Sequence, residues 1–451
     1  MNGNQKVALL GGGGARTPLF IHGLCDSQLH VSELALYDID RSRAQLMAAL
    51  GQEIAKETGL RITTPVTPEE AVDGASFIIS SLRVGGIEAR ARDEQIANQH
   101  GLAGQETTGP GGLAMALRTI PVALEHARLI ERYAPKAWLI NFTNPAGLIT
   151  QALMNHSDTR VIGICDTPSE LFHRIGWALG GPVECEYSGL NHLGWVQAVS
   201  MDGIDVTERL LADDAALSGI YPAKLFEPCF LRTLCLLPTE YLFFYYSASR
   251  AYRNQAAIGA TRGGEIASLN ATLYVEMAQK VAQKEAKQAL TVYKKYLNRR
   301  HSSYLRLEAN AESAFDQADH DWDPFQGETG YHRIALEVLT ALAGRPLNVV
   351  VNVRNQNTLA DLEADDVVEV RCLIDAAGAH PLPATLPKQV GGLTLAMKEY
   401  ERLAIRAAVE KSADLARLSL CVNPLIGDWD RATALISALI GSDPAHLGYL
   451  A

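Results

Sequence analysis

Short apolar runs alternate with longer amphipathic segments through the N-terminal third of the chain. The runs "KVALL" (Lys6 to Leu10), "ELALYDID" (33–40) and "FIISSL" (Phe77 to Leu82) have the length and composition of buried strands. Between the second and third runs, "RSRAQLMAALGQEIAKETG" has the pattern of a helix. This alternation predicts an α/β fold with a doubly wound parallel sheet.

The pattern continues with two more strands, "AWLINFTNP" and "RVIGICD", which end near Asn144 and Asp166. Between "FIISSL" and the first of these lies "RVGGIEARARDEQIANQHGLAGQETTGPGG", which reads as a long polar loop of the kind that carries function. Further along, Thr272 to Arg300 has the composition of a long exposed helix. "RPLNVVVNV" and "DDVVEVRCLI" predict an antiparallel pair.

A glycine-rich turn follows the first strand and opens a helix, as in dinucleotide-binding sheets. We expect Gly11, Gly12 and Gly13 to lie beneath a pyrophosphate and Asp38, after the second strand, to accept hydrogen bonds from the adenosine ribose. The third glycine of the usual pattern falls on Arg16, so the motif is imperfect. Together with the strand and helix order, it still predicts a bound NAD.

The length of 451 residues exceeds what one hydrophobic core usually supports, about 250–300 residues. We therefore expect a Rossmann-like NAD-binding domain over residues 1–166 and a C-terminal α+β domain over residues 167–451. The second domain is expected to supply substrate contacts and oligomerisation, as a homodimer or homotetramer.

Composition narrows the choice of partners and compartment. With 40 basic and 51 acidic residues the net charge is −11, which disfavours nonspecific binding to nucleic acid or to an anionic membrane. No apolar run reaches the roughly 18–20 residues that span a bilayer, and glycines interrupt the start before a signal-peptide core could form. We expect a cytoplasmic protein whose seven scattered cysteines are reduced thiols.

Chemically active side chains recur where the predicted strands end. Cys165 and Asp166 follow one strand, and His192 lies 27 residues beyond the cysteine in "YSGLNHLGW". Taken singly, such a cysteine is more often a small buried hydrophobe, and such a histidine a satisfied polar residue. As a pair they would leave open positions on a divalent ion, which is what a catalytic metal needs.

A series of motifs occurs in one order along nearly the whole chain: "GGGGARTP", "ARARDEQ", "GQETTGPGG", "NFTNP", "ICDTP", "GLNHLGW", "PTEYLFFYY", "TRGGE" and "VVNVRNQNTLADLEADDVVEV". In these motifs the sequence resembles glycoside hydrolase family 4, the NAD- and divalent-metal-dependent glycosidases, which depart from the usual two-carboxylate mechanism. The resemblance implies oxidation of the sugar at C3 by NAD+, loss of the C2 proton, elimination of the aglycone, addition of water and reduction at C3. It also implies a divalent metal, Mn2+ in our expectation.

The resemblance assigns roles residue by residue. Cys165 and His192 match the metal ligands, and Tyr241 in "PTEYLFFYY" matches the base that takes the C2 proton. Glu106 in "GQETT" matches the carboxylate that raises the basicity of this tyrosine, whose pKa is ordinarily about 10. The residues alone do not distinguish Tyr241 from its neighbours in this tyrosine-rich segment.

The substrate implied by the resemblance is a 6-phosphoglycoside. Arg90, Asn144 and Arg262 match the residues that hold the sugar phosphate, and a guanidinium suits a phosphate because it donates two parallel hydrogen bonds. Ordinary surface ion pairs, or binding of another anion, remain the alternatives for these arginines.

The sequence leaves open whether the substrate is an α- or a β-glycoside. Asp166 matches the acid proposed for the 6-phospho-α-glucosidase branch, whereas "GLNHLGW" and "PTEYL" look more like the 6-phospho-β-glucosidase branch, which we favour. Another anionic or neutral glycoside, a lactate or malate dehydrogenase-like oxidoreductase and a noncatalytic nucleotide-sensing module are the remaining alternatives. Neither of the last two needs Cys165 together with His192.

Overall fold

The structure of the chain is a computed structural model that describes residues 5–309, 323–327 and 329–450. The strands within these ranges are β1 (Gln5–Leu10), β2 (Val31–Tyr37), β3 (Arg61–Thr63), β4 (Phe77–Ser80), β5 (Trp138–Asn141), β6 (Arg160–Gly163), β7 (Glu184–Leu190), β8 (Leu193–Met201), β9 (Ile204–Asp205), β10 (Leu237–Pro238), β11 (Leu347–Arg354), β12 (Val367–Asp375) and β13 (Gly378–Pro381).

The helices in the same ranges are α1 (Thr17–Asp26), α2 (Arg41–Ile54), α3 (Pro68–Val72), α4 (Gly86–Gln99), α5 (Gly109–Tyr133), α6 (Ala146–His156), α7 (Thr167–Leu179), α8 (Thr207–Ala212), α9 (Asp214–Gly219), α10 (Pro228–Leu234), α11 (Phe243–Tyr246), α12 (Ala248–Ile258), α13 (Arg262–Ala282), α14 (Ala286–Ser302), α15 (Arg306–Ala309), α16 (Tyr331–Leu342), α17 (Gly391–Glu410), α18 (Ala413–Val422), α19 (Trp429–Ser442) and α20 (Pro444–Leu447). In the part of the chain that the structure describes, no helix is both long and apolar enough to cross a bilayer.

The first six strands form the predicted parallel sheet. Their order is β3-β2-β1-β4-β5-β6, and each neighbouring pair is parallel. The chain direction across the sheet reverses between β1 and β4, and in open α/β sheets a crevice forms at this point, outside the carboxyl ends of the strands. The predicted fold class is therefore confirmed, and the crevice lies next to Gly11.

The C-terminal strands continue this sheet. Strand β11 pairs antiparallel with β6 through Asn352 and Gly163, and β12, β7, β8 and β10 follow in order. The predicted antiparallel pair is β11 and β12, which are in register over eight residue pairs. Apolar side chains on the sheet and helices form a continuous core from Val7 to Leu450. The division into domains at residue 166 stays a prediction.

Two segments differ from their predicted conformations. The predicted polar loop after β4 contains helix α4, whose Arg90, Asp93 and Glu94 are buried. The predicted single helix over 272–300 is instead the end of α13 and most of α14, separated at Lys284, whose φ is +61°. Both helices pack against the N-terminal part of the chain, because α13 contacts α4 and α2 and α14 contacts α2.

A buried lysine on α17 connects this helix to the sheet. The Nζ of Lys398 donates hydrogen bonds to Oε1 of Gln151, 2.8 Å away, and to the carbonyl of Val367, 2.7 Å away. It also forms an ion pair with Glu401, and the lysine is almost completely buried. Because each polar group here has a partner, the charges are tolerated inside the protein.

Replacing Lys398 with methionine should lower the free energy of unfolding by about 3–5 kcal/mol, because Glu401 would remain as an unpaired buried charge. Urea unfolding measures this change. Lys56→Met, which removes an exposed ion pair with Glu53, is the matched control and should change the free energy by no more than about 1 kcal/mol. Equal losses in the two variants would contradict this interpretation.

Candidate active site

The turn after β1 brings the main chain close to two neighbouring strands. At Gly11 φ is +91°, and a Cβ there would lie 2.2 Å from the carbonyl oxygen of Ser81. A Cβ at Gly12 would lie 2.9 Å from Cα of Leu36. Glycine is therefore required at both positions by sterics, and at the first also by backbone conformation. Helix α1 then begins without a side-chain cap, but the amide of Thr17 donates to the carbonyl of Gly14 at 3.1 Å and Pro18 has no amide hydrogen.

Asp38 is fixed against this turn. Its Oδ2 accepts a hydrogen bond from the amide of Gly13 at 2.9 Å, and its Oδ1 accepts one from the amide of Asp40 at 2.9 Å. Burial raises the pKa of Asp38, although both hydrogen bonds oppose the increase. The structure thus brings together all four residues that the sequence predicted to contact NAD.

A cavity of about 300 Å3 opens beside Gly11, at the carboxyl ends of the parallel strands. Its polar and aromatic lining includes Arg16, Arg90, Glu106, Asp166, Glu240, Tyr241, Arg262, Arg300, Tyr304 and Tyr331. Six residues that the sequence predicted for the site line this one cavity, namely Gly11, Arg90, Glu106, Asp166, Tyr241 and Arg262. Asn144, in the loop between β5 and α6, is not among the described residues that line this cavity, and neither are Cys165 and His192. His192 lines a second, smaller cavity.

His192 lies at the tip of the hairpin between β7 and β8. Its φ is +63°, and its ring stacks on that of Tyr241 with 3.8 Å between the centroids. The side chain is buried, and neither ring nitrogen has a hydrogen-bond partner among the described residues. Burial lowers the pKa of His192 to about 4, so its imidazole is neutral at pH 7, as a metal ligand must be.

Cys165 follows β6 directly and is also buried. Burial raises the pKa of its thiol, the charges of Glu369 and Asp166 add to this increase, and a hydrogen bond with Thr167 opposes it. The charge of Cys165 also acts on Tyr241, the residue whose ring stacks on that of His192.

These two side chains fit a divalent ion with open coordination positions. Within the described ranges, no three or more His, Cys, Asp or Glu side chains are grouped so that they could hold a metal ion. The unpartnered ring nitrogens of His192 and the thiol of Cys165 supply nitrogen and sulfur donors, which transition metals accept. The remaining positions of such an ion would be open to substrate oxygens and water.

Tyr241 is part of a short 3-10 turn over Glu240–Leu242. Burial raises the pKa of its phenol, and the charges of Tyr331, Glu240 and Cys165 add to the increase. A hydrogen bond with Tyr304 acts in the opposite direction. The phenol oxygen therefore has a neighbouring hydroxyl that favours its ionised form.

Glu106 is bound by two arginines. It forms ion pairs with Arg83 and Arg90, and Arg90 also donates from Nε to Oε1 of Glu94 at 2.7 Å. Burial opposes ionisation of Glu106, but the charges of the two arginines hold its pKa well below the usual range. The charge of Arg90 also acts on Tyr241. Arg90 therefore interacts electrostatically with both Glu106 and the phenol of Tyr241.

Three guanidinium groups act on one another at this end of the cavity. Arg262 donates to the carbonyl of Arg300 at 2.6 Å and to Glu265 at 2.6 Å, so much of its hydrogen-bonding capacity is used. Arg300 donates to the hydroxyl of Tyr296 at 2.9 Å, and the charge of Arg90 acts on it. Arg300 was not predicted as a site residue, because it lies outside the recognised motifs in a segment that resembles an exposed helix.

The carboxyl groups of Asp166 and Glu240 also line the cavity. Burial raises the pKa of Asp166 to about 6, Glu170 adds to the increase, and the guanidinium of Arg16 opposes it. Burial likewise raises the pKa of Glu240 to about 8. Glu240 accepts a hydrogen bond from Oγ1 of Thr167 at 3.2 Å.

Arg16 and Glu240 are further site residues that the sequence did not predict. Arg16 stands where the dinucleotide motif would have its third glycine, and that departure was a usable signal. Glu240 directly precedes Tyr241 within a recognised motif. A glutamate before a tyrosine is not itself a pattern that predicts a functional residue.

Comparison with known proteins shows similarity over the whole chain. A model described as family 4 glycosyl hydrolase matches residues 6–179, and a model of the C-terminal domain of that family matches residues 187–426. A Bacillus subtilis (strain 168) protein named probable 6-phospho-beta-glucosidase is 30% identical over 473 residues, which cover 99% of this chain and 98% of the relative.

Two solved structures are similar in fold over nearly their full length. One is a 6-phospho-alpha-glucosidase from gut microorganisms in complex with NAD and glucose-6-phosphate, with a TM-score of 0.82, 25% identity and 99% of both chains covered. The other is the 6-phospho-beta glucosidase of Thermotoga maritima with manganese, NAD+ and glucose-6-phosphate. Its TM-score is 0.80 at 25% identity, with 98% of this chain and 99% of that chain covered.

Proposed function

The chain belongs to family 4 of the glycosyl hydrolases, and from this membership we propose that it hydrolyses 6-phospho-β-glucosides with NAD+ and Mn2+ as cofactors. The observation that carries the proposal is the position of Tyr241 on the ring of His192, near Cys165 and beside a cluster of arginines. The glucose-6-phosphate, NAD and manganese in the solved relatives support it. Membership of this family excludes the alternative of a lactate or malate dehydrogenase-like enzyme.

Each cofactor has a set of residues to hold it. Gly11, Gly12, Gly13 and Asp38 would hold NAD+, while Cys165 and His192 would hold the divalent ion. When bound, NAD+ supplies a reversible hydride acceptor for C3 of the sugar, and the ion supplies a Lewis acid for the oxygens on C2 and C3.

Tyr241 takes the proton from C2 of the sugar. Its oxygen is hydrogen bonded with Tyr304, which positions it and favours the phenolate. The positive charge of Arg90 also favours the phenolate, and Glu106 offsets part of that charge. Glu106 therefore acts on Tyr241 through Arg90. Because it offsets part of the charge of Arg90, it keeps the phenolate basic enough to accept the proton from C2.

Asp166 gives a proton to the leaving oxygen. It lines the cavity, and burial keeps part of the population protonated near neutral pH, since its pKa is about 6. A β-glucoside is the preferred substrate, and the name of the Bacillus subtilis relative supports this choice. The 6-phospho-α-glucosidase from gut microorganisms makes the α-anomer the second candidate, so both anomers belong in the assay.

The phosphate of the substrate binds at the arginine cluster. Arg90 is paired with two glutamates and Arg262 with a glutamate and a carbonyl, whereas the recorded hydrogen bond of Arg300 is with a neutral tyrosine. Among these three arginines, Arg300 is the one with no ion pair to a carboxylate in the described residues, although the charge of Glu106 acts on it, and it makes the strongest contact with the phosphate. The role of Asn144 in this contact and the assembly as a homodimer or homotetramer stay predictions.

Turnover should need both cofactors without consuming NAD+. Because hydride leaves and returns to the same carbon, cleavage of 4-nitrophenyl 6-phospho-β-glucoside should require NAD+, yet absorbance at the NADH band should not accumulate with product. Dialysis against a chelator should abolish turnover, and added Mn2+ should restore it. The α-anomer, assayed in parallel, identifies the preferred substrate. Full activity after removal of nucleotide and metal would refute the proposal.

Replacing Tyr241 with phenylalanine should lower turnover by about 100- to 10,000-fold, the usual contribution of a general base. The variant should retain its affinity for NAD+, because the ring and its stacking on His192 remain. For the parent enzyme, turnover in deuterated water should place deuterium at C2 of the released sugar, as mass spectrometry and NMR can measure. Protium alone at C2 would indicate direct displacement instead of elimination.

Replacing Arg300 with methionine should raise KM for the 6-phosphoglucoside by about ten- to a hundredfold, as expected for loss of a charge-assisted hydrogen bond. KM for the unphosphorylated glucoside, where it can be measured, should change little. Arg299→Met is the matched control, because that neighbouring arginine is exposed and does not line the cavity. Equal changes in KM for the two substrates would contradict the assignment of Arg300 to the phosphate.

A further inference from the structure

A buried glutamate on β12 connects three separate parts of the sheet. Glu369 is 1% exposed, and its Oε2 accepts a hydrogen bond from the hydroxyl of Tyr187 at 2.7 Å. Its Oε1 accepts hydrogen bonds from Nδ2 of Asn191 at 3.0 Å and from Nδ2 of Asn352 at 3.0 Å. The donors belong to β7, to the turn after β7 and to β11, and each is neutral. Burial raises the pKa of Glu369 to about 7, and the three hydrogen bonds oppose this increase.

One of these donors fixes the turn that carries His192. Asn191 and His192 are the two residues between the paired Leu190 and Leu193 at the tip of the hairpin. Besides donating to Glu369, Asn191 accepts at Oδ1 a hydrogen bond from the amide of Gly147, 3.2 Å away. Its side chain is therefore held from two sides. Because His192 adopts a left-handed backbone conformation that is unfavourable for residues other than glycine, such anchors matter for its position.

Glu369 is not among the described residues that line the cavity beside Gly11, and neither are Cys165 and His192. A change at Glu369 would therefore act on the His192 turn through the hydrogen bond of Asn191 and leave the cavity lining in place.

From this geometry we propose that Glu369 is a positioning residue for the divalent-cation site, which holds the His192 turn through Asn191. The inference rests on the proposed function, because it requires Cys165 and His192 to bind the ion. Metal ligands are commonly oriented by a further shell of carboxylates and amides, and the loss of such a group typically weakens metal binding ten- to a hundredfold.

The test compares Glu369→Gln with the parent enzyme. A glutamine side chain has the same shape, but its amide group only donates where the second carboxylate oxygen accepted, so the three hydrogen bonds of Glu369 cannot all be kept in their present direction. We expect the Kd for Mn2+, measured on the metal-free protein from the EPR signal of free Mn2+, to rise about ten- to a hundredfold. With Co2+ as a second probe, the near-ultraviolet thiolate-to-cobalt band should weaken or shift.

Asp366→Asn is the matched control. Asp366 is also a buried carboxylate, lies three residues before Glu369 and pairs with Arg402 at 2.6 Å. Its replacement should lower stability, but the variant should keep the Mn2+ affinity and cobalt spectrum of the parent enzyme. A role of Glu369 in stability alone would instead lower the melting temperature of both variants and leave Mn2+ binding unchanged in both.

A second variant keeps the proposal testable if Glu369→Gln fails to fold, as judged from its melting temperature and NAD+ affinity. Asn191→Ala removes the link to the turn and leaves Glu369 with two donors, so it should weaken Mn2+ binding by a smaller factor. Parent-like Mn2+ affinity and cobalt spectra in the folded variants would overturn the inference while the proposed function stands. A parent enzyme that binds neither Mn2+ nor Co2+ would overturn both.

Discussion

The candidate site depends on the pairing of β6 with β11, where the antiparallel strands join the parallel sheet. At this junction a Cβ on Gly163 would lie 2.2 Å from Oγ1 of Thr150 and 2.8 Å from Cβ of Asn352, so a larger residue would push the strands apart. Gly163 lies two residues before Cys165, and Asn352 donates to Glu369, which holds the turn of His192. Close packing at one glycine thereby brings two distant segments together at one end of the sheet.

Charge pairing explains why polar segments that looked exposed are buried around the cavity. The pattern of hydrophobic positions predicts strands well where burial is apolar, as in β1, β4 and the pair of β11 and β12. It fails for α4, because Arg90 and Glu94 are buried as an ion pair and Asp93 pairs with Arg118, 3.1 Å from Oδ1 to Nη1. The hydrophobic pattern treats every charged residue as exposed to solvent. A helix that is buried through ion pairs is therefore predicted as a loop.

Two tyrosines connect α13 and α14 to the nucleotide turn. The hydroxyl of Tyr293 donates to the carbonyl of Ala15 at 2.7 Å, and that of Tyr274 donates to the carbonyl of Gly13 at 3.0 Å. Spacing along the chain contains no information on such partners, which lie more than 250 positions away. The same packing places Arg300 at the cavity, and so the sequence could predict two of the three clustered arginines but not this one.

Local backbone conformation separates Tyr241 from the two tyrosines that follow it. Tyr241 lies in a 3-10 turn and stacks on His192, whereas Tyr245 and Tyr246 belong to the next helix. The ring of Tyr246 packs against Phe230 with 4.9 Å between centroids, and Tyr245 is not among the described residues that line the cavity beside Gly11. The motif alone could not distinguish these phenols, because residue type and spacing are alike. The turn places one of them on the ring of His192, and this position supports Tyr241 as the base without recourse to the resemblance.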